Sequence, residues 1–273
     1  MESILSKIAQ HIPDTDLYQN TAVSIYDRFP SPDFTQVLLL IEKMKPGKGS
    51  AFDVGCGTGT LLRYLSDREW EVFGCDPSGP MVELARSKNP AAHIDVATAT
   101  SFEAPRGLDL ITSTFDVMNH LPTLNDVREF FERSSGALAD DGVLIFDTVT
   151  PNDIIRNWPR YAHIESRTDE LVAIRGEKID GRTGRLHYDF FLKQSDGSYK
   201  RSIEVHTIRA LPLAWTLKAL RRSGFGEVLR FDAMNLEEPN RRTVRWIYAA
   251  RKCAWYPSGE HRGDVQAAMR IAA

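Results

Sequence analysis

Three glycines alternate at Gly55, Gly57 and Gly59 in the stretch AFDVGCGTGTLL, between an apolar run and a helix-like run. Glycines at such a junction let a ligand reach the backbone and the helix N-terminus. The dinucleotide fingerprint G-x-G-x-x-G would need glycine where Thr60 stands, and the phosphate loop G-x-x-x-x-G-K-[ST] is absent. Two acids sharpen the reading. Asp53 stands two residues before Gly55, and Asp76 closes the next apolar run, EVFGCD. A carboxylate at the tip of a second strand accepts both hydroxyls of a ribose. A carboxylate beside the loop repels a pyrophosphate and attracts an ammonium or sulfonium. A nucleoside with a cationic amino-acid tail suits both.

These residues need elements to hold them. Residues 50–54, 71–76, 93–97, 108–113 and 142–148 read as strands, and 34–44, 61–68, 81–88 and 126–138 as helices. Strands separated by helix-length segments imply βαβ units and a mostly parallel sheet. The turn Asp140-Asp141-Gly142 should separate the fourth of these helices from its strand. After residue 165 the pattern changes to strand-like segments joined by Asp180-Gly181-Arg182 and Ser195-Asp196-Gly197, an antiparallel insertion. A helix over 213–225 and two closing strands follow. A short amphipathic helix is expected over 1–12, with Ile4, Leu5, Ile8 and Ile12 on one face. The expected organisation is an N-terminal helical cap over 1–48, a core over 49–150, a linker and insertion over 151–211, closing elements over 212–252, and a tail over 253–273.

Composition excludes several classes. The chain has 273 residues, 42% hydrophobic and 26% charged, with a net charge of −3. That is ordinary globular composition with no basic footprint for nucleic acid. Cys56, Cys75 and Cys253 are too few and too scattered for a disulfide framework or a paired-cysteine metal site, and they fit a reducing cytoplasm. No leader is expected at the N-terminus, and no apolar run is long enough to span a bilayer.

The motif FDVGCGTGTLLRYL…VFGCDPSGPMVELAR resembles that of the class I S-adenosylmethionine-dependent methyltransferases, over roughly residues 15–150 and more loosely after 200. The resemblance implies a three-layer α/β Rossmann-like fold, with a mostly parallel seven-stranded sheet and the antiparallel insertion over the active site. It implies S-adenosylmethionine as cofactor and S-adenosylhomocysteine as product. Gly55, Cys56, Gly57 and Gly59 would line the methionine part, Asp53 would hold its amino group, and Asp76 would take the ribose diol. Pro77 and Met81 follow, with Met81 against the adenine. Enzymes of this kind usually carry an acid after the third strand. Here the stretch is VATATSF, so adenine contacts are expected from Thr98, Ala99, Thr100 and Ser101, with Thr98 in the acid's place. Phe115, after the fourth strand, would border the cofactor.

The resemblance is to small-molecule members, including sugar-amine and other natural-product N-methyltransferases, and it implies His120 as the base and Tyr26, in SIYDRF, as a second catalytic group, with Tyr18 assisting at the cofactor. Asn119, Trp158, Tyr188 and Arg209 are expected on the acceptor side. Methyl transfer needs no protein nucleophile, only alignment and exclusion of water. No metal is expected; Asp116, Asp147 and Asp153 lie in loops after strands, but not in the spacing of magnesium-dependent members. The expected partner is a small molecule, aromatic or amine-bearing, methylated on nitrogen before oxygen or activated carbon. The expected state is a cytoplasmic monomer or homodimer, with the insertion serving as lid or as dimer surface. Two other functions stand beside this one: a non-catalytic cofactor-binding partner, and methylation of protein or nucleic acid.

Overall fold

In the computed structural model, residues 23, 25–27 and 33–252 are described. The expected helix over 1–12, Tyr18, Cys253 and the tail lie outside them.

Helix α1, Thr35–Met44, leads into strand β1, Ser50–Val54. Then come α2 (Thr60–Ser66), β2 (Glu71–Asp76), α3 (Gly79–Lys88), β3 (His93–Val96) and β4 (Leu108–Ser113). A single-turn helix α4, Val117–His120, precedes α5, Leu124–Ala137, and β5, Leu138–Val149. The chain closes with α7 (Leu213–Arg222), β10 (Glu227–Asp232) and β11 (Arg245–Arg251). The seven strands are ordered β10-β11-β5-β4-β1-β2-β3, and only β11 runs against its neighbours. This is the three-layer α/β sheet expected from the sequence.

Alternation along the strands explains the layers. Val143 and Ile145 face a core with Leu40, Leu61 and Leu62, while Leu144 and Phe146 face one with Val127, Phe130 and Phe131. Burying a side chain such as Phe130 contributes about 1.5–3 kcal/mol. Helix α5 starts sharply because Thr123 and Asp126 form a capping box: the Thr123 hydroxyl accepts from Asp126 N, and the Asp126 carboxylate accepts from Thr123 N.

Two details differ from the expectation. No turn separates α5 from β5; strand pairing starts at Leu138, and Asp140-Asp141-Gly142 form an irregularity within it. There β4 advances two residues, Leu108 to Leu110, while β5 advances five, Leu138 to Val143. The segment expected as a linker is also structured. Helix α6, Pro151–Arg156, is capped by Thr150, whose hydroxyl accepts from Asp153 N, and a 3₁₀ turn spans Trp158–Arg160. Strand β6, Ala162–Arg167, adds an edge to β7 (Glu170–Lys178), β8 (Thr183–Lys193) and β9 (Tyr199–Arg209), an antiparallel meander. Its inner face carries Val172, Ile174 and Phe190, packed on Ile25.

Candidate active site

The loop from Gly55 to Gly59 sits where β1 hands over to α2. Gly55 N and Cys56 N both donate to Cys75 O, at 2.8 and 2.9 Å, tying the loop to β2. Gly59 caps α2 in the left-handed region, with φ 77°. A Cβ there would stand 3.1 Å from the Cα of Ala85 on α3, so α3 lies against bare backbone. Asp76 braces the loop: one oxygen accepts from Gly57 N and the other from Ser78 N, each at 2.9 Å. A carboxylate oxygen has two lone pairs, so both keep a place for another donor. Asp53 is buried and accepts from the Thr112 hydroxyl at 2.7 Å. Burial pushes its carboxyl up to about 7.

Gly55, Gly57, Asp53 and Asp76 line a cavity of about 580 Å³, within the range of ligand sites. Cys56, Pro77, Met81, Thr98, Ala99 and Thr100 line it too. Burial raises the Cys56 thiol well above its ordinary value, which suits a packed residue and not a nucleophile. Ser78 caps α3, its hydroxyl accepting from Met81 N at 3.3 Å. Thr98 shares hydrogen bonds with the hydroxyls of Thr100 (3.1 Å) and Ser101 (2.8 Å).

The opposite wall holds Tyr26, Phe115 and His120. Phe115 and Asp116 are consecutive non-glycine residues at φ 59° and 72°, a conformation that costs of order 1–3 kcal/mol per residue. Asp147 holds them there: its carboxylate accepts from Phe115 N at 3.0 Å and Asp116 N at 3.2 Å. Arg245, from β11, lies between the two acids, 2.7 Å from Asp116 and 3.1 Å from Asp147. Burial pushes both carboxyls up; the guanidinium outweighs this at Asp116, which stays below the usual range, while Asp147 stays above it. The fold thus uses two acids weighed as metal ligands to make a turn. Asp153, the third, accepts from Trp158 Nε1 at 2.8 Å. Among the described residues no group of three or more acids, histidines or cysteines could hold a metal ion.

That turn launches α4 and places His120. The imidazole lies beside the Asp116 carbonyl, with Nδ1 at 2.8 Å from it, and its other nitrogen faces His206. Burial, then His206, lowers its basicity more than Asp116 raises it. Tyr26 is fixed by its neighbour: Asp27 accepts from the Thr58 hydroxyl in the glycine loop and pairs with Lys88 at the end of α3. Burial, and next Asp76, raises the Tyr26 phenol.

A family described as "Methyltransferase domain" matches residues 52–144, from within β1 to within β5. The chain carries a methyltransferase domain on a class I fold. A Bacillus subtilis (strain 168) chain provisionally named a methyltransferase is 28% identical over 246 residues, covering 86% of this chain and 97% of that one. The dTDP-3-amino-3,6-dideoxy-alpha-D-glucopyranose N,N-dimethyltransferase of Streptomyces fradiae is 24% identical over 170 residues, 62% of this chain and 67% of that one. Among solved structures, an S-adenosylmethionine-dependent methyltransferase from Clostridium acetobutylicum ATCC 824 superposes with a TM-score of 0.74 at 20% identity, over 86% of this chain and 99% of that one.

The donor set of this methyltransferase fits its cofactor. A carboxyl buried as Asp53 is stays neutral up to about pH 7 unless a cation joins it, and the cofactor has a cationic amino-acid end. The open lone pairs of Asp76 suit a ribose diol.

Several expected residues stand elsewhere. Asn119 is fully buried: its amide donates to Arg209 O at 2.7 Å, and its carbonyl accepts from Val149 N at 3.1 Å. It ties α4 to β9 and β5 and does not line the cavity. Arg209 contributes its backbone carbonyl to that tie, and its side chain is not in the cavity wall. Trp158 is also off the wall; it packs with Val149, Ile154 and Ile208 under β8, its ring against Gly184. Gly59 and Ser101 do not line the cavity, because Gly59 faces α3 and Ser101 caps its own turn, accepting from Thr98 N at 3.0 Å. Tyr188 is half-buried and does not line the cavity; its ring lies 4.7 Å from that of His206.

Sequence reasoning missed Asp27, Thr58, Lys88, Arg245, Glu204 and the placement of His206. On β9 Glu204 and His206 are buried, paired with Tyr188 and Leu186 of β8.

Proposed function

We propose that this methyltransferase moves a methyl group to a nitrogen of a small molecule, with His120 as base and Tyr26 orienting the acceptor. S-adenosylmethionine, when bound, supplies a methyl group on an electrophilic sulfonium. Asp53 and the glycine loop hold its amino-acid end, and Asp76 holds its ribose. Met81 flanks its adenine, and Thr98, Ala99 and Thr100 edge it. Tyr26 and Phe115 close the cavity over the reacting end and exclude water.

The observation that carries this reading is His120. It lines the same cavity as Asp53 and Asp76, and burial lowers its basicity, which favours the neutral ring. A neutral imidazole accepts the proton that a methylated amine must lose. The Streptomyces fradiae relative, named for an amino-sugar substrate, supports a nitrogen acceptor of that class. The even charge balance supports a small molecule over nucleic acid.

The test is methyl-labelled cofactor with a panel of nucleotide-linked amino sugars and their hydroxyl analogues. Transfer to the amines and not to the hydroxyls is expected. Label on hydroxyls alone would overturn the nitrogen assignment, and no binding of the cofactor by calorimetry would overturn the assigned cavity.

A further inference from the structure

Among the described residues three carboxylates line the cavity: Asp53, Asp76 and Asp126. Asp53 is assigned to the amino-acid end of the cofactor and Asp76 to the ribose. Asp126 has no assignment. It belongs to the first turn of α5, well away in sequence from the glycine loop.

Its helix fixes where in the cavity it stands. Asp126, Phe130 and Arg133 follow one another at helical spacing and share one face of α5. The second and third of these meet the segment after β3. The rings of Phe130 and Phe102 lie 6.3 Å apart, and Arg133 Nη1 donates to Phe102 O at 3.4 Å. Phe102 N in turn donates to Thr98 O at 3.0 Å, which closes the turn holding Thr98, Ala99 and Thr100. Asp126 continues the same face of α5 by one turn toward its N-terminus. It therefore enters the cavity wall on the side that Thr98, Ala99 and Thr100 line.

The two oxygens of Asp126 are used differently. Oδ2 accepts from Thr123 N at 2.9 Å and from the Thr123 hydroxyl at 2.7 Å. The same hydroxyl accepts from Asp126 N at 3.2 Å. Both carboxylate contacts go to one oxygen. The capping box thus pins the carboxylate by Oδ2 and leaves Oδ1 as an acceptor. The hydroxyls on this side are engaged with one another: Thr98 shares hydrogen bonds with Thr100 at 3.1 Å and with Ser101 at 2.8 Å.

We propose that Asp126 selects the base of the cofactor, its Oδ1 accepting from the exocyclic amino group of adenine. The inference rests on adenine lying against Thr98, Ala99 and Thr100. That amino group is a donor, and a carboxylate offers only lone pairs, so the two match. A base with an oxygen at that place sets acceptor against acceptor. A site built for an N–H donor rejects such an analogue by leaving its own polar group unpaired.

The test is calorimetric binding of S-adenosylhomocysteine and S-inosylhomocysteine to the full-length protein. The second compound carries an oxygen in place of the amino group. The native protein should prefer the adenosyl compound by about tenfold or more. Asp126→Asn keeps an oxygen for Thr123 and puts an N–H donor where Oδ1 stood. It should weaken binding of the adenosyl compound and tighten that of the inosyl compound, so that the preference falls by about 10²-fold. In Asp126→Ala the Thr123 hydroxyl still accepts from the backbone N–H of residue 126, and this variant serves if Asp126→Asn does not fold. It should lower the preference with no swap. A merely structural role would weaken both compounds alike. A preference unmoved in both variants, or a native protein that binds the two compounds equally, overturns the role of Asp126 and leaves the cavity reading intact. Binding of neither compound by the native protein overturns the cavity reading, and this inference with it.

Discussion

The glycine wall of the cavity and its histidine wall are built in opposite ways. The glycine wall takes Asp53, the loop, Asp76 and Met81 from one strand–helix–strand–helix run, and strand pairing of β1 with β2 sets their distances. The histidine wall takes Tyr26 from the N-terminal segment, His120 from a single-turn helix, Glu204 and His206 from the meander, and Arg245 from the last strand. It is held by buried charges and backbone strain, the other by repeated hydrogen-bonded secondary structure. A local motif can fix a binding surface for a common cofactor, while the surface that meets the acceptor is assembled across the whole chain.

Substitutions can break that contrast, and the largest effect is expected at the histidine wall. His120→Ala should lower kcat by about 10²–10⁴-fold and leave cofactor affinity unchanged in calorimetry. Lost cofactor binding in a folded variant would move His120 to the other wall. Next is Arg245→Met, which strands Asp116 and Asp147 as two buried acids without their cation. It should cost about 3–5 kcal/mol in denaturant unfolding, and adding Asp147→Asn should restore part of that. A near-neutral single variant would mean the turn does not depend on the pair.

Gly59→Ala probes the glycine wall. It puts a Cβ against the backbone of α3 at φ 77°, and about 1–3 kcal/mol of stability should be lost. Asp53 gives a pH signature. Its carboxyl titrates at about 7 in the free chain, and the cationic ligand binds the ionised form. Affinity for S-adenosylmethionine should therefore rise through pH 7 and fall by up to about tenfold per unit below it. Asp53→Asn should flatten that profile; an unchanged profile would place the titrating group elsewhere. The smallest effect is expected for Arg209→Ala, within about 0.5 kcal/mol, because Asn119 uses the Arg209 carbonyl and not its side chain. A loss of acceptor binding there would restore Arg209 to the site.

The central sheet was legible because its strands alternate with helix-length segments and carry apolar runs. The meander was legible from its turns, apart from β6, an exposed edge strand whose sequence, AHIESR, is too polar to stand out. The short helices α4 and α6 were missed because one turn shows no periodicity. Asn119 and Trp158 carried residue types suited to substrate contact, and packing spent them on ties between elements.

By itself the sequence determined the glycine wall: the strand-loop-helix junction, the two acids at strand tips and the family they resemble. Those features depend on spacing along one short stretch, which backbone geometry converts directly into distance. The resemblance named Tyr26, Phe115 and His120 of the histidine wall, and only the tertiary structure decided what stands against them, from Asp147 and Glu204 to Arg245. Their proximity follows from sheet order and from which face of β9 turns inward. Apolar periodicity left that face open, because β9 buries Val205 on one face and Glu204, His206 and Ile208 on the other. The inward turn of that acid and that histidine is stabilised by partners from elsewhere in the chain, and no local pattern specifies it.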